Sequence, residues 1–224
     1  MDITPITHWD QPPENMGNAV LDLWRISLDT SGLDTAQALS NISSNELLKL
    51  ESLHNASARS RYLITRDARR KILARYVGRP AATLEFERLP QGKPYLANNP
   101  EIHFNLSHTE NMALLAVSNR YPLGVDVEGY KKIRNALKIA QRVFPVNLLD
   151  QLAAAPSEVF DKNFVELWTQ MEAMQKTWGE GVFGRPADIE NTSVISLQME
   201  SKYAVSLAAA YCSKLPMPRF FKYR

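Results

Sequence analysis

The sequence predicts an α/β (α+β) protein of two similar halves in a pseudo-twofold arrangement. Each half is a small antiparallel sheet packed with helices, and the cleft between them holds the chemistry. Three observations lead there. The order strand, helix, long helix, strand, strand pair occurs twice along the chain. Leu47-Leu48 and Leu148-Leu149 lie 101 positions apart, and Trp24 lies about as far from Val125. The similar offsets suggest a duplicated architecture, although residue identity between the halves is slight. Neither half has a Gly-x-Gly-x-x-Gly turn or a Gly-x-x-x-x-Gly-Lys-Ser loop, which disfavours the nucleotide folds built on them. The halves divide as 1–121 and 122–224.

The elements follow in order. The first eighteen residues, with Pro5, Pro12, Pro13 and Gly17, read as an irregular arm. Val20 to Leu28 alternates as a strand. Ser43 or Ser44 caps a helix through Leu47, Leu48 and Leu53, and a long basic helix runs from Ala58 to Val77 before Gly78 and Pro80. Thr83 to Glu87 reads as a strand, Gly92-Lys93-Pro94 as a turn, and Ile102-His103-Phe104 with Met112 to Ser118 as a strand pair. The second half opens with the strand Gly124 to Glu128. Ala136 to Val143 and Val146 to Leu152 form short helices, and Ser157 caps a helix reaching Trp178, ended by Gly179, Gly181, Gly184 and Pro186. Thr192 to Met199 and Tyr203 to Ala210 are strands, and Pro216 to Arg224 is a tail.

Composition narrows the function classes. With 224 residues, 45% hydrophobic and 22% charged, the chain can bury a sizeable core. A net charge of +2 tolerates an acidic partner without the concentrated basic stripe of a nucleic-acid binder. The single cysteine, Cys212, excludes an internal disulfide and a cysteine metal cage. No run approaches the roughly 18 apolar residues of a membrane span, and Met1-Asp2-Ile3-Thr4-Pro5 lacks the order of a signal peptide. The expectation is a cytoplasmic monomer that binds neither membrane nor nucleic acid.

The chemistry concentrates in two stretches. In Trp168-Thr169-Gln170-Met171-Glu172-Ala173-Met174-Gln175-Lys176, a carboxylate and an ammonium stand one helical turn apart on one face. In Gly124-Val125-Asp126-Val127-Glu128, Asp126 and Glu128 point to one side of a strand, and Val125 and Val127 to the other. Three carboxylates and a lysine suit a divalent cation gripping a pyrophosphate, because magnesium prefers hard oxygen ligands shared with substrate phosphates.

Four blocks occur in order: Gly92-Lys93-Pro94; Phe104-Asn105-Leu106-Ser107-His108; Gly124-Val125-Asp126-Val127-Glu128; and Trp168-Thr169-x-x-Glu172-Ala173-x-x-Lys176-x-x-Gly179-x-Gly181. Each alone is weak. Together, over roughly residues 45 to 210, the chain resembles a 4′-phosphopantetheinyl transferase of the larger, Sfp type. The resemblance implies transfer of 4′-phosphopantetheine from coenzyme A to a serine of an acyl or peptidyl carrier protein, releasing 3′,5′-ADP. It implies Mg²⁺ on Asp126, Glu128 and Glu172, with Glu172 also taking the serine proton and Lys176 reaching a pyrophosphate oxygen. It implies coenzyme contacts from Arg61, Arg66, Lys93, Pro94, Ser107, His108, Asp126 and Lys176, His108 at the ribose 3′-phosphate and Ser107 as a neutral donor. Among the arginines of the basic helix, Arg59, Arg69 and Arg70 are alternatives to Arg61 and Arg66.

One position departs from the pattern. The family usually has lysine before the glutamate, and here Met171 stands there. The expectation is that Met171 sits at the edge of the cleft, facing the carrier. Two rival readings are a non-catalytic coenzyme A- or carrier-binding module of the same fold and a metal-dependent nuclease. Retention of all three carboxylates speaks against the first, and the Lys93 and His108 blocks against the second.

Overall fold

Two four-stranded sheets share an apolar layer, and each packs a long helix against its other face. The computed structural model describes residues 3–13, 16–179 and 191–223. The expected helix stops at Gly181, Gly184 and Pro186 lie outside the described residues, as do Met1, Asp2 and Arg224.

In the first half β2 (Asp22–Ser27) pairs antiparallel with β6 (Met112–Ser118), and β6 with β5 (His103–His108). In the second half β7 (Leu123–Gly129) pairs antiparallel with β9 (Tyr203–Ala210), and β9 with β8 (Thr192–Met199). The helices repeat too. The first half has α1 (Thr35–Asn41), α2 (Ser44–Glu51) and α3 (Ala56–Val77); the second has α4 (Ala136–Val143), α5 (Val146–Ala153) and α6 (Phe160–Trp178). The strand, short helices, long helix and strand pair therefore recur as structure, whereas the extra strand expected between the long helix and the strand pair has no counterpart among the described residues of the second half. The division at 121 and 122 falls in the β6–β7 connection.

The sheets are mixed rather than purely antiparallel, because the chain ends exchange places. The expected irregular arm contains β1 (Ile3–Ile6), which runs parallel to β8 in the second sheet. The expected tail contains β10 (Arg219–Tyr223), parallel to β2 in the first. Both are short edge strands whose partners lie far away in sequence, so no local alternation betrays them. An edge position also tolerates Pro5, whose missing N–H would break an interior ladder. Arg219 locks β10 in place with a two-pronged ion pair of 2.7 and 2.8 Å to fully buried Asp22. The Tyr76 hydroxyl donates to the same carboxylate at 2.7 Å and accepts from the Trp24 indole at 2.6 Å.

Smaller differences have local causes. Asp34 caps α1, which the sequence reading passes over, by accepting from the Gln37 N–H. Ser43 forms a reciprocal capping box with Glu46, and Asn55 starts α3 two residues earlier than expected. The expected strand at 83–87 is a 3-10 turn (Ala81–Thr83) followed by β3 (Phe86–Arg88). It pairs with β4 (Pro94–Leu96), and Gly92 turns the hairpin at a φ of 93°. Ser157 opens a 3-10 turn ahead of α6 and does not cap the helix. Gly179 ends α6 in the left-handed conformation, as the sequence reading expects.

Glu46 does a second job. Its carboxylate takes Arg69 at 2.5 Å and Arg70 at 2.7 Å, tying α2 to α3. Burial pushes its pKa up, but the two guanidinium groups and the Ser43 N–H outweigh this and hold it below the ordinary carboxylate range.

The sharpest packing constraint is at Gly124. A Cβ there would lie 2.1 Å from the Ala173 carbonyl oxygen and 2.6 Å from the Thr177 nitrogen. Only glycine lets α6 lie this close on β7. Gly124→Ala must push the helix off the strand against backbone atoms that cannot rotate away. A loss of about 3 kcal/mol in denaturant unfolding is expected, and unchanged stability would contradict the close approach.

Candidate active site

Gly124, Asp126 and Glu128 share the face of β7 that meets α6, as the period of two requires. Val125 and Val127 face the shared apolar layer. On α6, Glu172 and Lys176 stand one turn apart above them. The Lys176 ammonium bridges the elements, 2.5 Å from Asp126 Oδ1 and 3.2 Å from Glu172 Oε2. Ser107 of β5 donates to Asp126 Oδ1 at 2.8 Å. Asp126 Oδ2 is buried and has no hydrogen-bond partner among the described residues. Glu128 lies at the rim, with Lys131 at 3.7 Å.

The charges strain against one another. Burial first, then the negative charge of Asp126, raises both Glu128 and Glu172 above the ordinary carboxylate range. Burial pushes Lys176 down, but Asp126 and Glu172 more than restore it, leaving it above ordinary lysine. Among the described residues, no group of three carboxylates, imidazoles or thiols is already gathered at metal-ligating spacing. The trio nevertheless fits a hard cation: its donors are all oxygens, and one buried carboxylate oxygen has no partner.

The Phe-Asn-Leu-Ser-His block occupies β5, whose alternation divides it. Asn105 and Ser107 face β7: Asn105 Oδ1 accepts the Val125 N–H at 2.9 Å, and Ser107 holds Asp126. Leu106 and His108 face α3. There they line a cavity of about 250 Å³ with Arg61, Tyr62 and Arg66. Tyr62 and Arg66 also line a larger neighbouring cavity of about 840 Å³, together with Lys49, Arg79, Phe86 and Pro94. The Arg66 guanidinium stands 4.7 Å over the Tyr62 ring. The structure thus gathers Arg61, Arg66 and His108, with Pro94 beside them, and separately gathers Ser107, Asp126, Glu172 and Lys176.

Lys93 belongs to neither group. Its ammonium donates to the carbonyls of Leu123 and Thr177, at 2.8 and 2.7 Å. It pins the start of β7 to the last turn of α6, and burial pushes its pKa down to about 8. Arg69 and Arg70 are buried on Glu46, leaving Arg61 and Arg66 as the better-placed pair. Lys49, Tyr62, Arg79 and Phe86 escape the sequence reading. The capping box at Ser43 was the available signal for Lys49, since it fixes the α2 face that lines the larger cavity.

Met171 is fully buried and packs with Phe164, Leu167 and Met174. This overturns the expectation of a carrier-facing side chain. One residue along a helix turns about 100°, and α6 is covered by β9 on one side and by α4 and α5 on another, so that turn carries Met171 into the core.

A two-lobed α+β protein with an acid–lysine cluster beside arginine-lined cavities is the class this geometry defines. Residues 29–120 match the 4′-phosphopantetheinyl transferase N-terminal model, and residues 122–214 match the model of the 4′-phosphopantetheinyl transferase superfamily. The chain is 30% identical over 179 residues to the 4′-phosphopantetheinyl transferase HetI of Nostoc sp., covering 78% of this chain and 76% of that one. It is 35% identical to psf-1 of Bacillus pumilus, over 57% of this chain and 56% of the relative. Against Sfp of Bacillus subtilis the identity is 29%, over 50% and 49% of the two chains. The chain belongs to the 4′-phosphopantetheinyl transferase superfamily.

The burial of Met171 has a measurable consequence. Met171→Lys places an ammonium in an apolar core and is expected to cost more than about 2 kcal/mol in denaturant unfolding. Coenzyme A affinity measured on the folded fraction should stay within a factor of two. Full stability with tighter coenzyme binding would restore the cleft-edge position.

Proposed function

We propose that the protein transfers 4′-phosphopantetheine from coenzyme A to a serine of an acyl or peptidyl carrier protein and releases 3′,5′-ADP, as a cytoplasmic, monomeric, Mg²⁺-dependent enzyme. The observation that carries this reading is the buried, unpartnered Oδ2 of Asp126 beside the Lys176 bridge. Such an arrangement suits a polyanionic substrate brought in with a cation. Among the described residues no helix is long and apolar enough to cross a membrane.

Asp126, Glu128 and Glu172 would hold Mg²⁺, which supplies charge compensation at the pyrophosphate. The remaining steps belong to the chain's own side chains. His108, Arg61 and Arg66 bind the 3′-phosphate. The larger cavity, with Tyr62, Phe86 and Pro94, takes the nucleoside. Lys176 offers its ammonium to a pyrophosphate oxygen. The carrier serine attacks the phosphorus bearing pantetheine, the P–O bond to the nucleotide phosphate breaks, and Glu172 accepts the serine proton. A carboxylate raised above its ordinary range is the better base for that step. Glu128 also borders an apolar cavity of about 190 Å³ with Ile133, Phe164 and Trp168. We assign this side to the incoming arm and carrier. The first half thus serves coenzyme phosphate binding, and the second supplies the carboxylates.

The non-catalytic alternative is separated by intact mass of apo-carrier domains incubated with coenzyme A and Mg²⁺. Wild type should add one phosphopantetheinyl group, and Asp126→Ala should lose transfer by at least 100-fold while keeping its fold, since several kcal/mol of charge stabilisation vanish. Near-normal turnover in Asp126→Ala would overturn the assignment.

The 3′-phosphate assignment has its own measurement. His108→Ala should weaken coenzyme A more than 3′-dephospho-coenzyme A in calorimetric titration, by about 1.5–3 kcal/mol for the lost charge-assisted bond. Equal losses for both ligands would remove His108 from the site.

A further inference from the structure

We propose that Tyr130 is a positioning residue for carrier recognition: its hydroxyl, tied to Glu166 of α6, anchors the segment 131–135 that leaves the carboxylate strand. The inference rests on the transferase reading.

Tyr130 stands where the ladder of β7 ends. Its N–H donates to the Lys202 carbonyl at 2.9 Å, and residues 131–135 belong to no helix or strand before α4 begins at Ala136. As the second residue after Glu128, it continues the face of β7 that meets α6. There its hydroxyl donates to Glu166 Oε1 at 2.9 Å and accepts from the Gln198 amide of β8 at 3.3 Å. Lys162, one turn before Glu166, lies 3.8 Å from the same carboxylate oxygen and 5.6 Å from the centre of the Tyr130 ring. Glu166 is only 5% exposed, and a carboxylate so buried is costly without donors. Gly124 seats one end of β7 on α6, and Tyr130 fastens the other.

The consequence lies beyond the strand. Glu128 is already held by the ladder, opposite Ala204 of β9, whereas Lys131 belongs to no ladder. Together they line both the apolar cavity of about 190 Å³ and a second cavity of about 400 Å³, bordered by Thr109, Asn111 and Tyr203. They form the ridge between the two. From there Lys131, Lys132, Arg134, Lys138 and Arg142 are all exposed, and no carboxylate occurs between Glu128 and Asp150. A surface of this charge suits an acidic partner. The arginines around His108 lie on α3 of the first half, away from this segment, so the tie serves the carrier and not the coenzyme. A segment already ordered in its bound form spares the ordering cost of association.

The test measures the affinity of fluorescently labelled acyl and peptidyl carrier domains, in their apo form, by anisotropy. Steady-state kinetics follow with the same carriers, for wild type, Tyr130→Phe and Glu166→Gln. Mn²⁺ and coenzyme A affinities are measured alongside. Tyr130→Phe keeps the ring and removes the tie. It should weaken carrier binding and raise the carrier KM about 5-fold, the equivalent of one net hydrogen bond, with kcat, Mn²⁺ and coenzyme A affinity unchanged. Glu166→Gln keeps an acceptor and should retain most of the carrier affinity. A fall in kcat or Mn²⁺ affinity with carrier affinity unchanged would overturn the proposal, since Tyr130 would then act on Glu128. Unchanged carrier affinity with a lowered Tm would overturn it in favour of a purely structural bond. Wild type that binds a carrier but adds no mass fails the transferase reading alone, and the affinity comparison still decides this one. Wild type that binds no carrier overturns both.

Discussion

The close approach of α6 to β7 is the constraint on which the site depends. Gly124 removes the side chain that would hold the two backbones apart. With the helix seated, Lys176 reaches Asp126 at 2.5 Å while Glu172 stays within 3.2 Å of the same ammonium. Lys93 closes the arrangement from the other half by holding the carbonyls of Leu123 and Thr177. Thr177 belongs to the last turn of α6, where carbonyls lack helical partners and a cation is favoured. The seating of α6 on β7 is thus set by one missing side chain and one long one.

Much of this was legible in the sequence because it is local. The i, i+4 spacing of Glu172 and Lys176 and the i, i+2 spacing of Asp126 and Glu128 follow from the helix and strand periods. Gly179 announced the end of α6, and the 101-residue offset announced the duplication. What stayed hidden depends on distant partners. β1 and β10 are strands only because β8 and β2 offer them an edge. Met171 looked available because it stands immediately before Glu172, yet α6 has apolar cover on more than one side. Lys93 carries a motif lysine's charge, but its direction is set by two carbonyls that the sequence cannot place.

β5 explains why one five-residue block meets two different surroundings. A strand alternates its side chains between faces, so Asn105 and Ser107 go to the carboxylate strand while Leu106 and His108 go to the arginine helix. Because β5 lies at the edge of its sheet, next to β7 of the other, it touches both machineries at once. A shift of register by one residue would exchange the faces, putting His108 against Asp126 and Ser107 among the arginines. The pairing of Phe104 with Val117 and of His108 with Ala113 prevents that slip, as the buried faces of both strands demand.

The same juxtaposition accounts for the electrostatics. Three carboxylates on β7 and α6 face one partly buried ammonium, and both glutamates respond by holding their protons more tightly than usual. Lys176 cannot quiet all three, since its short contacts are spent on Asp126 and Glu172. Glu128 is left to the exposed Lys131 across 3.7 Å, a contact that solvent screens. A divalent cation with oxygen preferences answers this imbalance better than a second lysine would, because it can accept several carboxylate oxygens at once. It would also free Lys176 for an anionic substrate. On the proposed reading, the acid-rich strand, Lys176 and the Asp126 oxygen that has no partner among the described residues are parts of one design, a site whose charges a cation and a pyrophosphate would balance together.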